Sequence, residues 1–257
     1  MVGIIEKDDA RYDFCENYLI GRGYKFCKSP LAPTDFIIFP FKSEIDESVY
    51  NDKFFSALRK RTPVFSGIKN GYVSEKCEKY GLEYHVMMDD TAVAIKNAVP
   101  TSEGVIAYLI TNRTETLATS HVLVIGYGIC GRDLCKRLKA MGAEVSALVR
   151  NREKESLART DNVTPVYLDD FFNQPIYDVI INTVPTCILT NEKLDKTEGA
   201  VLIDIASKPY GFDINYAKKL NGKSALLLGI PGKHAAKTAG EILGEYINFI
   251  LLQNECN

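Results

Sequence analysis

Three closely spaced glycines end an apolar run in the stretch Val122-Leu-Val-Ile-Gly126-Tyr127-Gly128-Ile129-Cys130-Gly131. The ten residues that follow place apolar side chains at helical spacing. The pattern therefore predicts a strand over 122–125, a tight turn and a helix over 129–141. In such a unit the first glycine permits the turn, the second lets the backbone approach a pyrophosphate, and the third lets the helix pack on the strand. We expect the whole turn, 126–131, to bind a dinucleotide.

Alternating strand and helix patterns extend from this turn in both directions. Towards the C-terminus, strands are predicted at 144–149, 165–167, 178–181, 200–203 and 225–228. Before the turn, strands at 2–5, 36–39, 63–65 and 84–86 alternate with helices at 12–20, 53–58 and 73–80. Such alternation is typical of parallel sheets covered by helices on both faces.

Two segments link these regions. A strand-like piece after Asp90 meets Pro100, which predicts a strand that stops there and a helix capped by Thr101 or Ser102. Near the C-terminus, Thr238 and Glu241 form a capping-box pattern that predicts a helix over 242–252. We therefore expect an α/β protein with two doubly wound parallel-sheet domains. Residues 1–98 form the first, completed by a C-terminal helix at 233–257, and residues 99–232 form a Rossmann domain.

Composition excludes several classes of protein. The formal net charge of the 257 residues is −2 and no basic stripe stands out, so nucleic acid is not an expected partner. The longest apolar stretches fall far short of the roughly 20 residues that span a bilayer, and no signal-like leader follows Met1. Seven cysteines without a CxxC pair favour reduced cytosolic thiols. The three histidines show no ligand spacing, so no metal is expected.

The loop after the second predicted Rossmann strand is basic. An NAD site carries an acidic residue there, about 20 residues past the turn, to hold the ribose 2′-hydroxyl. In this chain the position reads Arg150-Asn151-Arg152. Because guanidinium groups bind phosphate bidentately, these three residues favour NADP over NAD.

Polar residues also follow the next Rossmann strands. Thr183, Val184 and Pro185 come after one strand, and Asp204 and Ser207 come at the end of the following one. The carboxyl ends of parallel strands share one edge of a sheet, where open α/β sheets bind their ligands. We therefore expect these five residues to contact the nicotinamide end of the cofactor.

A cluster of cations comes after these strand ends. Lys208, Lys233, His234 and Lys237 suit an anionic substrate such as a dicarboxylate. Hydride transfer needs a proton acceptor beside the cofactor, and His234 is the best candidate because its unperturbed pKa lies near neutrality. Lys208 and Glu103 are the alternatives.

Several motifs together resemble one family, the A subunits of dipicolinate synthase. The glycine turn is shared by many enzymes, whereas the other motifs are more specific. They are Val64-Phe-Ser66-Gly67-Ile68, Asn97-Ala-Val-Pro100-Thr101-Ser-Glu103-Gly104, Asn182-Thr-Val-Pro185, Asp204-Ile-Ala-Ser-Lys-Pro209, Gly229-Ile-Pro-Gly232 and Lys237-Thr-Ala-Gly240.

The resemblance implies a fold like that of the 2-hydroxyacid dehydrogenases, with a flavodoxin-like N-terminal domain. It implies NADP as oxidant and a cyclic dicarboxylate of the dihydrodipicolinate type, or its hydroxylated tetrahydro form, as substrate. It also implies an oligomer in which the partner is a flavoprotein-like B subunit, in the mother-cell cytoplasm of a sporulating bacterium. The matching polar residues are Ser66, Asn97, Thr101 and Glu103 for the substrate, with Asp204, Ser207 and Lys237 near the cofactor.

The chain departs from the family pattern at several positions. Glycines of an early turn are missing from Lys7-Asp-Asp-Ala-Arg11, although Arg11 is kept. Tyr210 stands where glycine is usual, and Ala236 replaces a proline. The sequence between Phe39 and Pro63 is shorter than is usual in the family. Two other functions stay open: a dehydrogenase of a 2-hydroxy or 2-amino acid on the same scaffold, and a nucleotide-binding regulatory subunit without catalysis.

Overall fold

The computed structural model describes residues 1–27, 34–41, 44–173, 176–221 and 223–255. The chain divides into two compact units. The first consists of Met1–Asn97 with Pro231–Asn257, and the second is Ala98–Ile230. The boundaries expected from the sequence, 98/99 and 232/233, lie within two residues of these positions.

The first unit contains a five-stranded parallel sheet. In chain order its strands are β1 (Val2–Ile5), β2 (Lys25–Phe26), β3 (Phe36–Phe39), β4 (Pro63–Ser66) and β5 (Glu83–Val86). The spatial order is β2-β1-β3-β4-β5, which is the flavodoxin-like order. All four residues of β3 are fully buried, as expected for a central parallel strand covered on both faces. The predicted flavodoxin-like domain is confirmed.

Three helices of this unit lie close to their predicted positions. They are α1 (Arg11–Ile20), α2 (Asp52–Ala57) and α3 (Gly71–Tyr80). Asn51 and Asn70 cap α2 and α3, because each side chain accepts hydrogen bonds from N–H groups of the first turn. Gly81 ends α3 at a φ of 67°, in the left-handed region that glycine adopts readily.

The predicted strand before Pro100 is wrong, because the structure has a 22-residue helix there. This helix, α4 (Thr91–Asn112), contains Pro100, and the boundary between the two units falls inside it. Asp90 Oδ1 accepts a hydrogen bond from Val93 N–H at its start, so neither Thr101 nor Ser102 is a cap. The alanine-rich sequence favours helix, and Val105 and Leu109 are both buried one turn apart. These local preferences outweigh the helix-breaking tendency of the proline.

The second unit contains a six-stranded parallel sheet. Its strands are β6 (His121–Ile125), β7 (Glu144–Leu148), β8 (Thr164–Val166), β9 (Val179–Asn182), β10 (Val201–Asp204) and β11 (Ala225–Leu226). The spatial order β11-β10-β9-β6-β7-β8 is the Rossmann order. Its helices are α5 (Ile129–Ala140), α6 (Arg152–Thr160), α7 (Asn191–Leu194) and α8 (Ile214–Asn221). The predicted Rossmann fold is confirmed.

Two helices close the chain, α9 (Ile230–His234) and α10 (Ala236–Glu255). The predicted start of the last helix is wrong, since Thr238 and Glu241 lie inside α10 rather than at its cap. Helix α10 packs closely on α1, because a Cβ atom at Gly240 would overlap the carbonyl oxygen of Arg11, and one at Gly244 would lie 2.6 Å from the Tyr18 ring. None of the helices in the described ranges is long and apolar enough to cross a membrane.

Candidate functional site

The glycine turn of the second unit has the geometry of a dinucleotide-binding loop. Gly126 has a φ of 97°, and a Cβ atom there would lie 2.5 Å from Val184 Cγ2. A Cβ atom at Gly131 would overlap the carbonyl oxygen of Gly126, so α5 can pack on β6 only with glycine at this position. In contrast, a Cβ atom at Gly128 would meet nothing within 4 Å. The turn is therefore closed at its first and third glycines and open at its second.

Helix α5 begins at this open glycine without a side-chain cap. Gly128 and Ile129 are exposed and Cys130 is half-buried, so the first turn of the helix presents backbone N–H groups to a ligand. These groups and the helix dipole fit a pyrophosphate. Burial raises the pKa of the Cys130 thiol, which keeps the thiol protonated and poorly nucleophilic.

Tyr127 is held by a carboxylate that the sequence reasoning missed. Its hydroxyl donates a hydrogen bond of 2.8 Å to Asp161, which lies just after α6. Arg132 and Lys136 of α5 pair with the same carboxylate at 2.6 and 3.1 Å. The hydrogen bond from Arg132 is the main cause that holds the pKa of Asp161 well below its usual range. The buried Tyr127 side chain therefore anchors the turn to α6.

The strand ends that carry the candidate residues lie level with one another. Ile125 of β6 pairs with Leu148 of β7 and with Asn182 of β9. Asn182 pairs with Asp204 of β10, which in turn pairs with Leu226 of β11. Strand β6 lies between β7 and β9, where the chain reverses its direction across the sheet. The glycine turn and the loops after β7, β9 and β10 therefore surround the ligand-binding position of a Rossmann sheet.

Asp204 cannot contact a cofactor in this structure, because it is fully buried. Its carboxylate accepts hydrogen bonds from Asn182 Nδ2 and from the backbone N–H groups of Ala206 and Gly211, at 2.9, 2.9 and 2.6 Å. A Cβ atom at Gly211 would overlap the Asn182 amide. The predicted role of Asp204 in cofactor binding is corrected to a structural one: it holds the loop 204–211.

The residues after β9 lie directly beside the turn. Thr183 Oγ1 donates a hydrogen bond of 2.8 Å to the carbonyl of Ile125 and lies 3.2 Å from the position of a Cβ atom on Gly131. Val184 covers Gly126, and Pro185 is exposed. Thr183 and Val184 therefore pack against the glycine turn. The sequence alone could not distinguish this packing from direct contact with the nicotinamide end of the cofactor.

The basic loop follows β7 at the same edge of the sheet. Asn151 caps α6 by accepting a hydrogen bond of 3.0 Å from Lys154 N–H. Arg150 and Arg152 are exposed, and neither guanidinium makes a hydrogen bond or ion pair with another described residue. Both are therefore available for an anionic ligand.

The loop after β10 presents Ser207 and Lys208 to solvent. Tyr210, at a position where the family resemblance implies glycine, has a φ of 67°. This is the left-handed region in which glycine is favoured, which is a physical reason to expect glycine here. The backbone turn is retained here despite the larger residue, with Tyr210 N–H donating to Ser207 O at 3.1 Å.

The other candidate residues divide between the two units. In the first unit Ser66 is buried, and its hydroxyl lies 2.8 Å from Ile68 O and 2.7 Å from Tyr84 OH. Asn97 is half-buried there, while Lys233, His234 and Lys237 are exposed. In the second unit Thr101 is buried. Glu103 is exposed and forms an ion pair of 3.3 Å with Arg137.

Arg11 is a further buried polar residue of the first unit. Its side chain is 8% exposed and forms a bidentate ion pair with Asp9. The sequence marked Arg11 only as a surviving family residue and did not place it in a site. Among the described residues, no group of three or more His, Cys, Asp or Glu side chains is arranged to hold a metal ion.

Comparison with known proteins identifies the class of the second unit. Residues 101–206 match the family model of the D-isomer specific 2-hydroxyacid dehydrogenase NAD binding domain. The NAD-complexed D-isomer specific 2-hydroxyacid dehydrogenase from Lactobacillus delbrueckii ssp. bulgaricus shares the fold, with a TM-score of 0.67 at 11% identity over 100% of this chain and 97% of that one. The second unit is thus similar to the nicotinamide-dinucleotide-binding domains of 2-hydroxyacid dehydrogenases.

The family is shown by closer relatives. The chain is 30% identical over 237 residues to the A subunit of dipicolinate synthase from Bacillus subtilis (strain 168). The aligned region covers 87% of this chain and 80% of that protein. Crystal structures of dipicolinate synthase A subunits from Bacillus halodurans and Bacillus subtilis both match at 25% identity, with TM-scores of 0.89 and 0.90. The match with the Bacillus halodurans structure covers 97% of both chains. The match with the Bacillus subtilis structure covers 99% of this chain and 96% of that one. The chain belongs to the family of dipicolinate synthase A subunits.

Proposed function

We propose that this chain is the dehydrogenase subunit of a dipicolinate synthase. It oxidises a cyclic dicarboxylate of the dihydrodipicolinate type to dipicolinate, with NADP as oxidant. The observation that carries the proposal is the intact dinucleotide turn, closed at Gly126 and Gly131 and open at Gly128, in a chain of this family. The open second glycine leaves room for the pyrophosphate of a dinucleotide, which the proposed oxidation requires.

The preference for NADP rests on the loop after β7. A carboxylate at this position accepts hydrogen bonds from a ribose 2′-hydroxyl and repels a 2′-phosphate. Here the loop offers the free guanidinium groups of Arg150 and Arg152 beside the neutral side chain of Asn151. Two unpaired guanidinium groups match the charge and the fork geometry of a phosphate. We assign the 2′-phosphate to these residues.

The oxidation removes a hydride and a proton from the dihydro ring, and the ring becomes aromatic. The nicotinamide supplies the hydride acceptor when it is bound. His234 is exposed and makes no hydrogen bond or ion pair with another described residue, so its imidazole is free to accept the proton. Lys208 is the second choice as base. Glu103 is the third, because Arg137 already pairs with its carboxylate.

The substrate is recognised by its two carboxylates. Lys233 and Lys237 are exposed cations of the first unit and attract an anionic ligand. Asn97 is half-buried and is the residue that we assign to orient the ring through its amide. Ser66 and Thr101 are buried, so we assign them to positioning the segments that bind the substrate rather than to contact with the ring. Ser207 contacts the cofactor from the loop that Asp204 holds in place.

We also infer the setting of the reaction from the family resemblance. The curated relative is named as one subunit of a synthase, so we propose an oligomeric enzyme whose partner is a flavoprotein-like B subunit. We place its action in the cytoplasm of the mother cell during sporulation, where dipicolinate is made.

The test is a reconstituted assay. The purified chain is mixed with the B subunit, NADP, and the product of dihydrodipicolinate synthase, and NADPH formation is followed by its absorbance. We expect NADP reduction that depends on this chain. No absorbance change with an active partner would reject the proposal, and tight NADP binding without turnover would instead favour a regulatory role.

A further inference from the structure

The first unit has its own topological switch point. In the strand order β2-β1-β3-β4-β5, the chain reverses direction between β1 and β3. Open α/β sheets bind ligands in the crevice outside the carboxyl ends of the strands at such a point. The loop 6–10 leaves β1 there, and Phe41 follows β3 two residues after its end. Any ligand of this unit is therefore expected between these two segments.

Arg11 occupies this position. Its guanidinium carbon lies 4.0 Å from the centroid of the Phe41 ring, so the side chain lies across the carboxyl ends of β1 and β3. A guanidinium on an aromatic face keeps its edge free for in-plane hydrogen bonds. The Phe41 ring also covers Gly67, since a Cβ atom there would lie 2.5 Å from the ring. Phe41 thus lies between Arg11 and Gly67, the residue that follows β4.

Asp9 fixes the orientation of the guanidinium and uses only part of it. Nε of Arg11 lies 2.9 Å from both carboxylate oxygens of Asp9, and Nη2 donates to one of them. Burial opposes ionisation of Asp9, but the hydrogen bonds from Arg11 outweigh this effect and lower its pKa. Nη1 makes no hydrogen bond with another described residue. The unused donors of Arg11 can bind a carboxylate, because guanidinium groups pair with carboxylates bidentately.

Two family motifs contact this arginine. A Cβ atom at Gly232 of the Gly229-Ile-Pro-Gly232 motif would lie 2.8 Å from Arg11 Nε and 3.2 Å from Asp9 Oδ2. A Cβ atom at Gly240 would overlap the carbonyl oxygen of Arg11. Glycine at both positions lets the chain close over Arg11 without displacing it. The packing therefore fixes both the side chain and the backbone of this residue.

The same loop leaves an acceptor unsatisfied. Oδ1 of Asp8 is buried and has no hydrogen-bond partner among the described residues. Buried polar atoms in native proteins are almost always paired, so an unpaired one calls for a ligand or water. The loop 6–10 and Arg11 thus offer an unpaired acceptor as well as unpaired donors, which matches a ligand that carries both a carboxylate and an N–H or O–H group.

We propose that Arg11 binds one carboxylate of the substrate through its free guanidinium edge, with Asp9 as its positioning residue. Asp8 accepts a hydrogen bond from the ring N–H or hydroxyl of the same molecule. The inference rests on the proposed function for the identity of the substrate, a cyclic dicarboxylate. It assigns the selection of an anionic substrate to the first unit.

Titration calorimetry of the full chain with pyridine-2,6-dicarboxylate tests the proposal. We expect Arg11→Gln to weaken binding about 10- to 100-fold, because a charge-assisted bidentate contact is lost. Arg11→Lys keeps the charge but not the fork, so an intermediate loss is expected. Arg22→Gln is the matched control, since Arg22 also stacks on an aromatic ring, Tyr18 at 3.4 Å, but is exposed at the far end of α1. It should bind as the wild type does.

The affinity for NADP and the melting temperature show whether each variant is folded. If Arg11→Gln is folded and binds the dicarboxylate as tightly as wild type, the proposal is wrong. If it does not fold, Arg11→Lys decides, and wild-type affinity in that variant overturns the proposal. A wild-type chain that does not bind the dicarboxylate also overturns it.

A turnover assay separates this inference from the proposed function. If wild type reduces NADP and Arg11→Gln leaves the KM of the cyclic substrate unchanged, the inference fails and the function stands. If wild type shows no turnover, but dicarboxylate binding still depends on Arg11, the function fails and the inference stands. A raised KM for the substrate with an unchanged KM for NADP supports both.

Discussion

The glycine turn supports one prediction that separates folding from cofactor binding. The two variants are Gly131→Ala and Gly128→Ala. A Cβ atom at Gly131 overlaps the carbonyl oxygen of Gly126 and lies 3.1 Å from its carbon, inside the ~3.5 Å at which non-bonded carbon atoms pack. Because backbone on both sides must move, Gly131→Ala should cost about 2–3 kcal/mol. For a unit of this size the melting temperature should fall by roughly 6–10 °C.

Gly128→Ala should behave in the opposite way. Its φ of −83° and ψ of −165° are accessible to alanine, and nothing lies within 4 Å of the added Cβ atom. Loss of glycine at the helix N-cap should cost less than about 1 kcal/mol. The open space is, however, the approach path of a pyrophosphate, so the affinity for NADP should fall about tenfold or more, equivalent to 1.4 kcal/mol per factor of ten.

Differential scanning fluorimetry and calorimetric titration with NADP measure the two quantities on the same samples. The reasoning predicts a low melting temperature for Gly131→Ala, and a near-normal melting temperature with weak NADP binding for Gly128→Ala. If Gly128→Ala binds NADP as wild type does, the turn does not hold the pyrophosphate. If Gly131→Ala melts at the wild-type temperature, the close packing of α5 on β6 is not what requires glycine.

Three further predictions concern the second unit. Replacing Arg150 and Arg152 with alanine should raise the Kd of NADP at least about tenfold more than that of NAD, because the 2′-phosphate loses charged hydrogen bonds; equal changes in titrations with both cofactors would contradict the assignment. Asp204→Asn should lower the melting temperature by several degrees, since a buried amide donor would face a backbone N–H at a cost of about 1–3 kcal/mol; an unchanged melting curve would contradict the structural role of Asp204. Asp161→Asn should destabilise the chain at neutral pH. The pKa of Asp161 is lowered in the folded state, so its contribution is present above the unfolded-state pKa of about 3.9 and is lost as the pH falls through the folded-state value. The stability difference between wild type and Asp161→Asn should therefore shrink below about pH 4, and a constant difference in acid titrations would refute this reasoning.

The strands that the sequence predicted share one property. Runs such as 36–39 and 122–125 are short, apolar throughout and end abruptly, which is typical of buried parallel strands. Strand β2 was missed because it has two residues, one of them the exposed Lys25, and two residues carry no periodicity. Helix α4 was missed because Pro100 predicts an interruption of secondary structure. The residues on both sides of Pro100 nevertheless have the burial pattern of one helix.

The candidate site was predictable to the level of loops but not of individual atoms. Parallel strands deliver their carboxyl ends to one edge, so the sequence placed the loops after β7, β9 and β10 together correctly. It gave no way to tell that Asp204 points inwards to its own loop while Arg150 points to solvent, since both are charged residues near strand ends. Asp161 was beyond reach, because its partner Tyr127 is 34 residues away in sequence.

Packing contacts within the first unit explain glycines in two of the motifs that distinguish this chain from other dinucleotide-binding proteins. Gly232 and Gly240 belong to those motifs. A Cβ atom at Gly232 would meet the Arg11 side chain, and one at Gly240 would meet the backbone at the start of α1. Both glycines therefore keep the start of α1, and Arg11 with it, in place. The glycine turn binds a cofactor common to many enzymes, so the choice of substrate must be made elsewhere. In the first unit, we propose that Asp8, Asp9 and Arg11 select the substrate, because their unpaired donors and acceptor match a carboxylate that carries a nearby N–H or O–H group.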